Sequence, residues 1–334
     1  DNSMKKIIKA FFVILIAFGN VAKAQDFHLS LYDCAPLFLN PAMTGVIDAK
    51  FRVHAQYRNQ WNSVAYKPFN TALISADMPK GKWGFGIQVI NMRAGIGNYN
   101  VFQAMLSAGY TVPLDKKKSH HVSFGLQGGF TQKSVEYKLY TWDNQYTGAN
   151  GGSFNTEVSS NENFKRQSQM LPQLNAGVLY YYAKQQSRIN PFLGVSGFNL
   201  TRPKETFFDQ ANYLPIRVYT HAGVRVNISE LLFAIPKVLI MNQGSAFEQT
   251  YALDAGYFFK NDKFFLLAGF TYRAKDASIV YAGLRKDNYI FKLGYDFNTS
   301  TLKTASKTRG AFELSFTYLA GKKSVTEIKN CPRL

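Results

Sequence analysis

Few residues here are of types and spacing that could carry covalent chemistry. Of the five histidines, His54 and His221 stand in alternating stretches, on the polar side. A Ser/His pair of the barrel-phospholipase kind would need a nucleophile beside them. No Gly-x-Ser-x-Gly elbow and no phosphate-cradling Gly-x-x-x-x-Gly-Lys occurs. His120 and His121 are adjacent, so on a strand they point to opposite faces and cannot share a metal. There is no Cys-x-x-Cys pair, and the two cysteines, Cys34 and Cys331, stand at opposite ends of the chain. The sequence thus predicts no catalytic, cofactor-binding or metal-ligating group, and a non-enzyme.

Charges on alternating stretches are more informative. Arg52, His54, Gln56, Arg58 and Gln60 fall on one face, and Phe51, Val53, Ala55 and Tyr57 on the other. Lys292 and Asp296 alternate with Tyr289, Phe291, Leu293, Tyr295 and Phe297, and Glu313 with Phe312, Leu314, Phe316 and Tyr318. A period of two means β-strand. An enclosed arginine needs a counter-charge, because an unpaired buried ion is costly. For Arg58 the nearest candidate by sequence is Asp77, with Asp254, Asp296 and Glu313 as others. Arg52, Arg58, Asp77, Arg225, Lys292, Asp296 and Glu313 are the expected network, either filling and stiffening an enclosed space or lining a ligand-binding or conducting one.

The elements that must position these charges are strands. Segments 50–62, 67–78, 82–93, 99–112, 120–135, 171–184, 188–200, 215–228, 235–243, 247–260, 263–275, 277–286, 288–298 and 310–320 carry strand patterning. Most approach the 9–11 residues of a tilted membrane strand. Punctuation falls between them, as at Pro79-Lys80-Gly81, Asp115–Ser119 and Lys260-Asn261-Asp262. The aromatic-rich apolar face suits lipid and the polar face a lumen. The expected fold is all-β: one antiparallel transmembrane barrel of about fourteen strands over residues 50–320. An even count returns both termini to one side, the periplasm in outer-membrane barrels, and the insertion Lys138–Met170 is then extracellular.

The ends of the chain agree with export. Lys5, Lys6 and Lys9 precede an apolar run from Ala10 to Gly19 and a small-x-small site at Ala22-Lys23-Ala24. This reads as a signal peptide after a three-residue extension, with a mature start at Gln25. Beyond residue 24, 35 basic residues face 20 acidic ones. That excess suits a basic lumen, loops near anionic headgroups or an acidic partner better than nucleic acid. Residues 25–49 read as a periplasmic cap and 321–334 as a basic tail with Lys322, Lys323, Lys329 and Arg333. Within the cap, Asn40-Pro41-Ala42-Met43-Thr44-Gly45 is a turn signal, or else a surface that partners touch or that blocks the lumen. Cys34 and Cys331 flank the first and last strands, so they are either a disulfide across the seam or two thiols in separate caps.

An ordered set of motifs carries a resemblance. These are Gln25-Asp26-Phe27-His28, Leu37–Gly45, Tyr57-Arg58-Asn59-Gln60-Trp61, Ser75–Pro79, Tyr272–Ala277, Gly294–Ser300 and Cys331-Pro332-Arg333-Leu334. The set resembles the PorP/SprF family of the Bacteroidetes type IX secretion and gliding system. Ala274 departs from it, standing where the family more often has an aromatic. The resemblance implies an outer-membrane barrel that binds a periplasmic lipoprotein of the motor ring, holds the C-terminal domains of secreted adhesins, or both. A porin or small-ligand transporter is the alternative, and would need an open lumen.

Overall fold

The computed structural model describes residues 28–61, 67–148, 152–162, 164–184, 187–208, 212–301 and 303–321. The expected signal peptide and the tail with Lys322, Lys323, Lys329, Cys331 and Arg333 lie outside them. Fourteen antiparallel strands close into one barrel, each pairing with its neighbours in sequence and the first with the last. They are β1 (Phe51–Gln60), β2 (Phe69–Lys80), β3 (Trp83–Ala94), β4 (Tyr99–Pro113), β5 (His120–Ser134), β6 (Ser168–Tyr182) and β7 (Ile189–Phe198). Then follow β8 (Arg217–Asn227), β9 (Leu232–Gln243), β10 (Ala246–Phe259), β11 (Phe264–Arg273), β12 (Ala277–Lys286), β13 (Tyr289–Asn298) and β14 (Arg309–Ala320). Closure leaves no sheet edge, which lets such a wall stand in lipid, where an unpaired backbone group costs several kcal/mol. Among the described residues no helix is long and apolar enough to cross a membrane.

The wall is inside-out relative to a soluble domain. Leu106, Leu126 and Ile74 are at least 60% exposed on the outer face, while Arg58 and Glu313 are 2% or less exposed within. Strand boundaries fall within three residues of the sequence expectation. The largest shifts are at β6 and β9, which each begin three residues early. Pro236, which has no N–H to give, lies inside β9. The ladder to β8 is interrupted between Gly223↔Lys237 and Val226↔Ala234, yet the strand resumes on the far side of the proline.

The two ends differ. At the proximal end, where β1 begins and β14 stops, the links are short, such as Gly81–Lys82 and Asp287–Asn288. At the distal end lie the long links 135–167 and 199–216. Phe164 stacks on Tyr137 with ring centroids 4.5 Å apart and packs on Phe208 at 4.5 Å, joining these two loops. Loop 199–216 dips into the mouth, where Glu205 meets Lys133 at 2.5 Å.

Of the two readings of the segment 25–49, an end cap or a block in the lumen, residues 28–46 take the second and lie inside the barrel. A 3-10 turn (Tyr32–Cys34), one helical turn (Pro36–Leu39) and a second 3-10 turn (Pro41–Met43) form a plug, with Leu37 and Ala42 fully buried. Leu29, Ala35 and Phe38 pack on Leu73 and Ile90, and Leu31, Leu39 and Met43 join the larger core lined by Phe233, Phe265 and Leu267. The apolar core of this molecule is therefore built between the plug and inward-facing strand residues.

Candidate functional site: a plugged, charge-laced lumen

Strand alternation aims Arg58 inward from β1, and antiparallel register sets Glu313 of β14 directly opposite. Arg58 donates through Nη1 to Glu313 at 2.8 Å and through Nη2 to Asp296 of β13 at 2.9 Å. Ser30 of the plug completes the cluster. Its hydroxyl accepts from Arg58 at 2.6 Å and from Arg273 of β11 at 2.9 Å, and donates to Asp296 at 2.6 Å. The backbone N–H groups of Ser30 and Leu31 donate to the Glu313 carboxylate at 2.9 and 3.0 Å, and Gln56 donates to it as well. One cluster thus ties the seam of the barrel, β1 to β14, to the start of the plug. Charge-assisted bonds of this kind are the strong ones, and leaving either sign unpaired at this depth is costly.

Asp77 does not serve Arg58. Register sets Asp77 opposite Arg52, six residues down the strand, about 20 Å at the usual rise. Arg52 donates to both Asp77 oxygens, at 2.8 and 2.7 Å, and the carboxylate also accepts the Gly45 N–H at 2.8 Å. Asp254, also weighed for Arg58, instead holds Lys237 of β9. That ammonium reaches Asp33 of the plug at 2.7 Å, and Lys292 approaches the same Asp33 at 3.8 Å. Arg225 sits over the Phe233 ring at 4.0 Å and donates to Asn227 at 3.1 Å, apart from the seam cluster.

Asn40, Pro41 and Gly45 do not face solvent at the barrel end. Asn40 is fully buried; its amide donates to the carbonyls of Val178 at 3.1 Å and Val195 at 3.4 Å and lies 3.2 Å from His221 Nε2. Its side-chain oxygen accepts the Ala42 N–H at 2.9 Å and so caps the turn Pro41–Met43. Gly45 has φ +73°, a conformation that side chains resist. The wall beneath this turn is stripped of side chains. Gly84, Gly109, Gly125 and Gly177 are consecutive register partners across β3, β4, β5 and β6. A Cβ on any of them would overlap the plug: Thr44 for the first two, Pro41–Ala42 for Gly125 and Asn40 for Gly177. This glycine ladder is the seat of the plug.

Sequence reasoning missed several members. Arg273 and Lys237 share inward parity with Thr271 and Ile235, so strict alternation would have found them. Ser30 and Asp33 belong to no periodic element and gave no signal. The alignment of the glycines across four strands appears only in register. Cys34 sits in the plug beside a residual cavity of about 100 Å³ lined also by Lys237, Lys292 and His221. Its suggested partner Cys331 lies outside the described residues. Among the described residues no cluster of His, Cys, Asp and Glu is arranged to hold a metal.

A closed fourteen-stranded barrel with lipid-facing apolar residues and a filled polar lumen is an outer-membrane β-barrel. The fold is similar to the toluene transporter TbuX of Ralstonia pickettii, at 9% identity, 86% coverage of this chain, 93% of that one and a TM-score of 0.51. A FadL homologue from Pseudomonas aeruginosa is more distant in shape (13% identity, 84% and 92% coverage, TM-score 0.45). So is the toluene transporter TodX of Pseudomonas putida (9%, 87% and 93%, TM-score 0.45). No curated protein matches the chain. Residues 21–318 match the model of the type IX secretion system membrane protein PorP/SprF, and the chain belongs to that family.

Proposed function

We propose that this barrel is a non-enzymatic docking component of the type IX secretion and gliding machinery, and that its work is done by protein contacts at its two ends. The carrying observation is the plug. Residues 28–46 occupy the lumen and are tied to the wall by the Lys237–Asp33 ion pair, by hydrogen bonds of Ser30 to Arg58 and of the Gly45 N–H to Asp77, and by the Asn40 bonds. A filled lumen favours holding a partner over passing a solute, and family membership supplies the machinery. The partners on this reading are a periplasmic lipoprotein of the motor ring, the C-terminal domain of a secreted adhesin, or both. The proximal end faces the periplasm after export by the signal peptide. Short proximal turns, and the placement of the two long loops 135–167 and 199–216 at the distal end, support that orientation.

The test removes the basic tail, Lys322–Leu334. Barrel assembly is expected to persist while motor lipoprotein co-purification and adhesin display fall. A truncated protein that keeps both at wild-type levels sinks the docking role of the tail. Stable conductance of porin size from wild-type protein would replace the docking reading with the transporter one.

A further inference from the structure

One sector of the outer wall, β3 to β6 at the proximal end, combines three features that each suit a different part of one lipid. The first is charge. The turn 114–119 carries Lys116, Lys117 and Lys118, all exposed, and the adjoining link carries exposed Lys184 and Arg188. These two links touch, since the Ala183 N–H donates to the Ser119 carbonyl at 2.8 Å. The acidic residue among them, Asp115, is engaged by the Ser119 and His120 N–H groups at 2.7 and 2.8 Å. Five cations against this one carboxylate leave the two links net positive.

The second feature is an aromatic belt immediately below. His120 packs on Tyr182 at 4.7 Å between ring centroids, and its Nδ1 lies 2.8 Å from the Tyr180 hydroxyl. Trp83 packs on Tyr110 at 4.8 Å on the neighbouring strands. Trp and Tyr gather where hydrocarbon meets headgroups, so the belt marks that level and sets the lysines at phosphate height.

The third feature is a depression of about 490 Å³ in the lipid-facing surface, starting at the belt and running towards the middle of the wall. Small residues, Ala108, Ala176 and Gly197, form its bed between Phe124, Val178 and Val195. Gly109, Gly125 and Gly177 of the ladder contribute backbone to its floor, and Asn40–Thr44 of the plug sits on their other side. No charged side chain lines it.

We propose that this sector binds one anionic glycerophospholipid of the surrounding bilayer. Its phosphate lies among Lys116, Lys117, Lys118, Lys184 and Arg188, its glycerol at the belt, and one acyl chain in the groove. The groove opens on the bilayer, so its occupant is drawn from lipid, and the cation cluster selects the anionic members. The proposal stands apart from the docking role.

Full-length protein in detergent is titrated with phosphatidylglycerol and phosphatidylethanolamine of identical chains, and retained lipid is counted by native mass spectrometry. Wild-type protein is expected to retain one phosphatidylglycerol with about tenfold preference or more. Lys116→Glu/Lys117→Glu/Lys118→Glu should remove that preference, and Lys184→Glu/Arg188→Glu serves where the triple variant fails to fold. Ala176→Phe, which fills the groove, should lower retention of both lipids. Equal retention of the two lipids by wild-type protein overturns the proposal, as does a preference that survives charge reversal. So does wild-type retention by Ala176→Phe. Charge-dependent binding of polyglutamate with no lipid preference would assign the turns to an acidic protein and overturn it equally.

Discussion

Arg58 is the residue on which seam and plug converge. Removing it leaves Asp296 and Glu313 buried beside one another, with Arg273 as the remaining cation, 3.9 Å from Asp296. Breaking a buried pair from one side costs roughly 3–5 kcal/mol. Arg58→Met is therefore expected to lower the thermal midpoint of heat-modifiable migration on gels. Arg58→Met with Glu313→Met should recover part of that loss; a single variant as stable as wild type would refute the role. Asp115 makes a smaller prediction at the surface. The N–H of His120, then that of Ser119, holds its carboxyl below the usual carboxylate range. A carboxyl depressed on folding adds stability above its unfolded pKa, and this is lost as pH falls through the folded value. Comparing wild type with Asp115→Asn should show a difference at neutral pH that vanishes at the most acid pH. A difference that grows on acidification would contradict the assignment.

At the scale of elements, the plug and its glycine seat are one device. Turn chemistry alone would place Asn40–Gly45 in any tight link, but a wall without side chains lets this turn lie against the backbone. Gly125→Val puts branched carbon where Pro41 and Ala42 now sit, while leaving the lipid face and the ladder bonds intact. The expected result is an assembled barrel whose plug is displaced. Conductance in planar bilayers should then appear, as it should when residues 28–45 are deleted, because fourteen strands enclose a pore unless it is filled. A silent deletion variant that has folded would mean that loop 199–216 and the side chains seal the lumen alone.

For the whole molecule the informative quantity is asymmetry. The described proximal links are short and rich in lysine, and the distal end carries the two long links, 135–167 and 199–216, with aromatic rings packed between them. Cysteines introduced at Ser153 or Glu157, exposed in the distal loop, should react with an impermeant reagent on intact cells, and one at Lys117 should not. The reverse pattern in folded protein would invert the orientation, and with it the assignment of partners to ends. Orientation also decides which leaflet meets the lysine-bearing turns.

How much was legible beforehand follows from the range of the interactions involved. Alternation is local, so all fourteen strands could be read from neighbours two residues apart, and closure followed from the need to leave no edge in lipid. Inward aim was legible for the same reason, which is why Arg52, Arg58, Lys292, Asp296 and Glu313 were picked out. Pairing was legible only as a choice among four carboxylates, Asp77, Asp254, Asp296 and Glu313, because partners are set by register between strands far apart in the chain. Sequence proximity pointed Arg58 to Asp77, whereas barrel closure delivered Glu313, 255 residues away. The path of the plug is more remote still. Ser30, Asp33 and Asn40 have no periodicity, and each gains its meaning from wall residues that only the closed barrel assembles. The glycine ladder is the clearest case: four residues with nothing in common but lacking a side chain become a binding surface when tertiary structure aligns them.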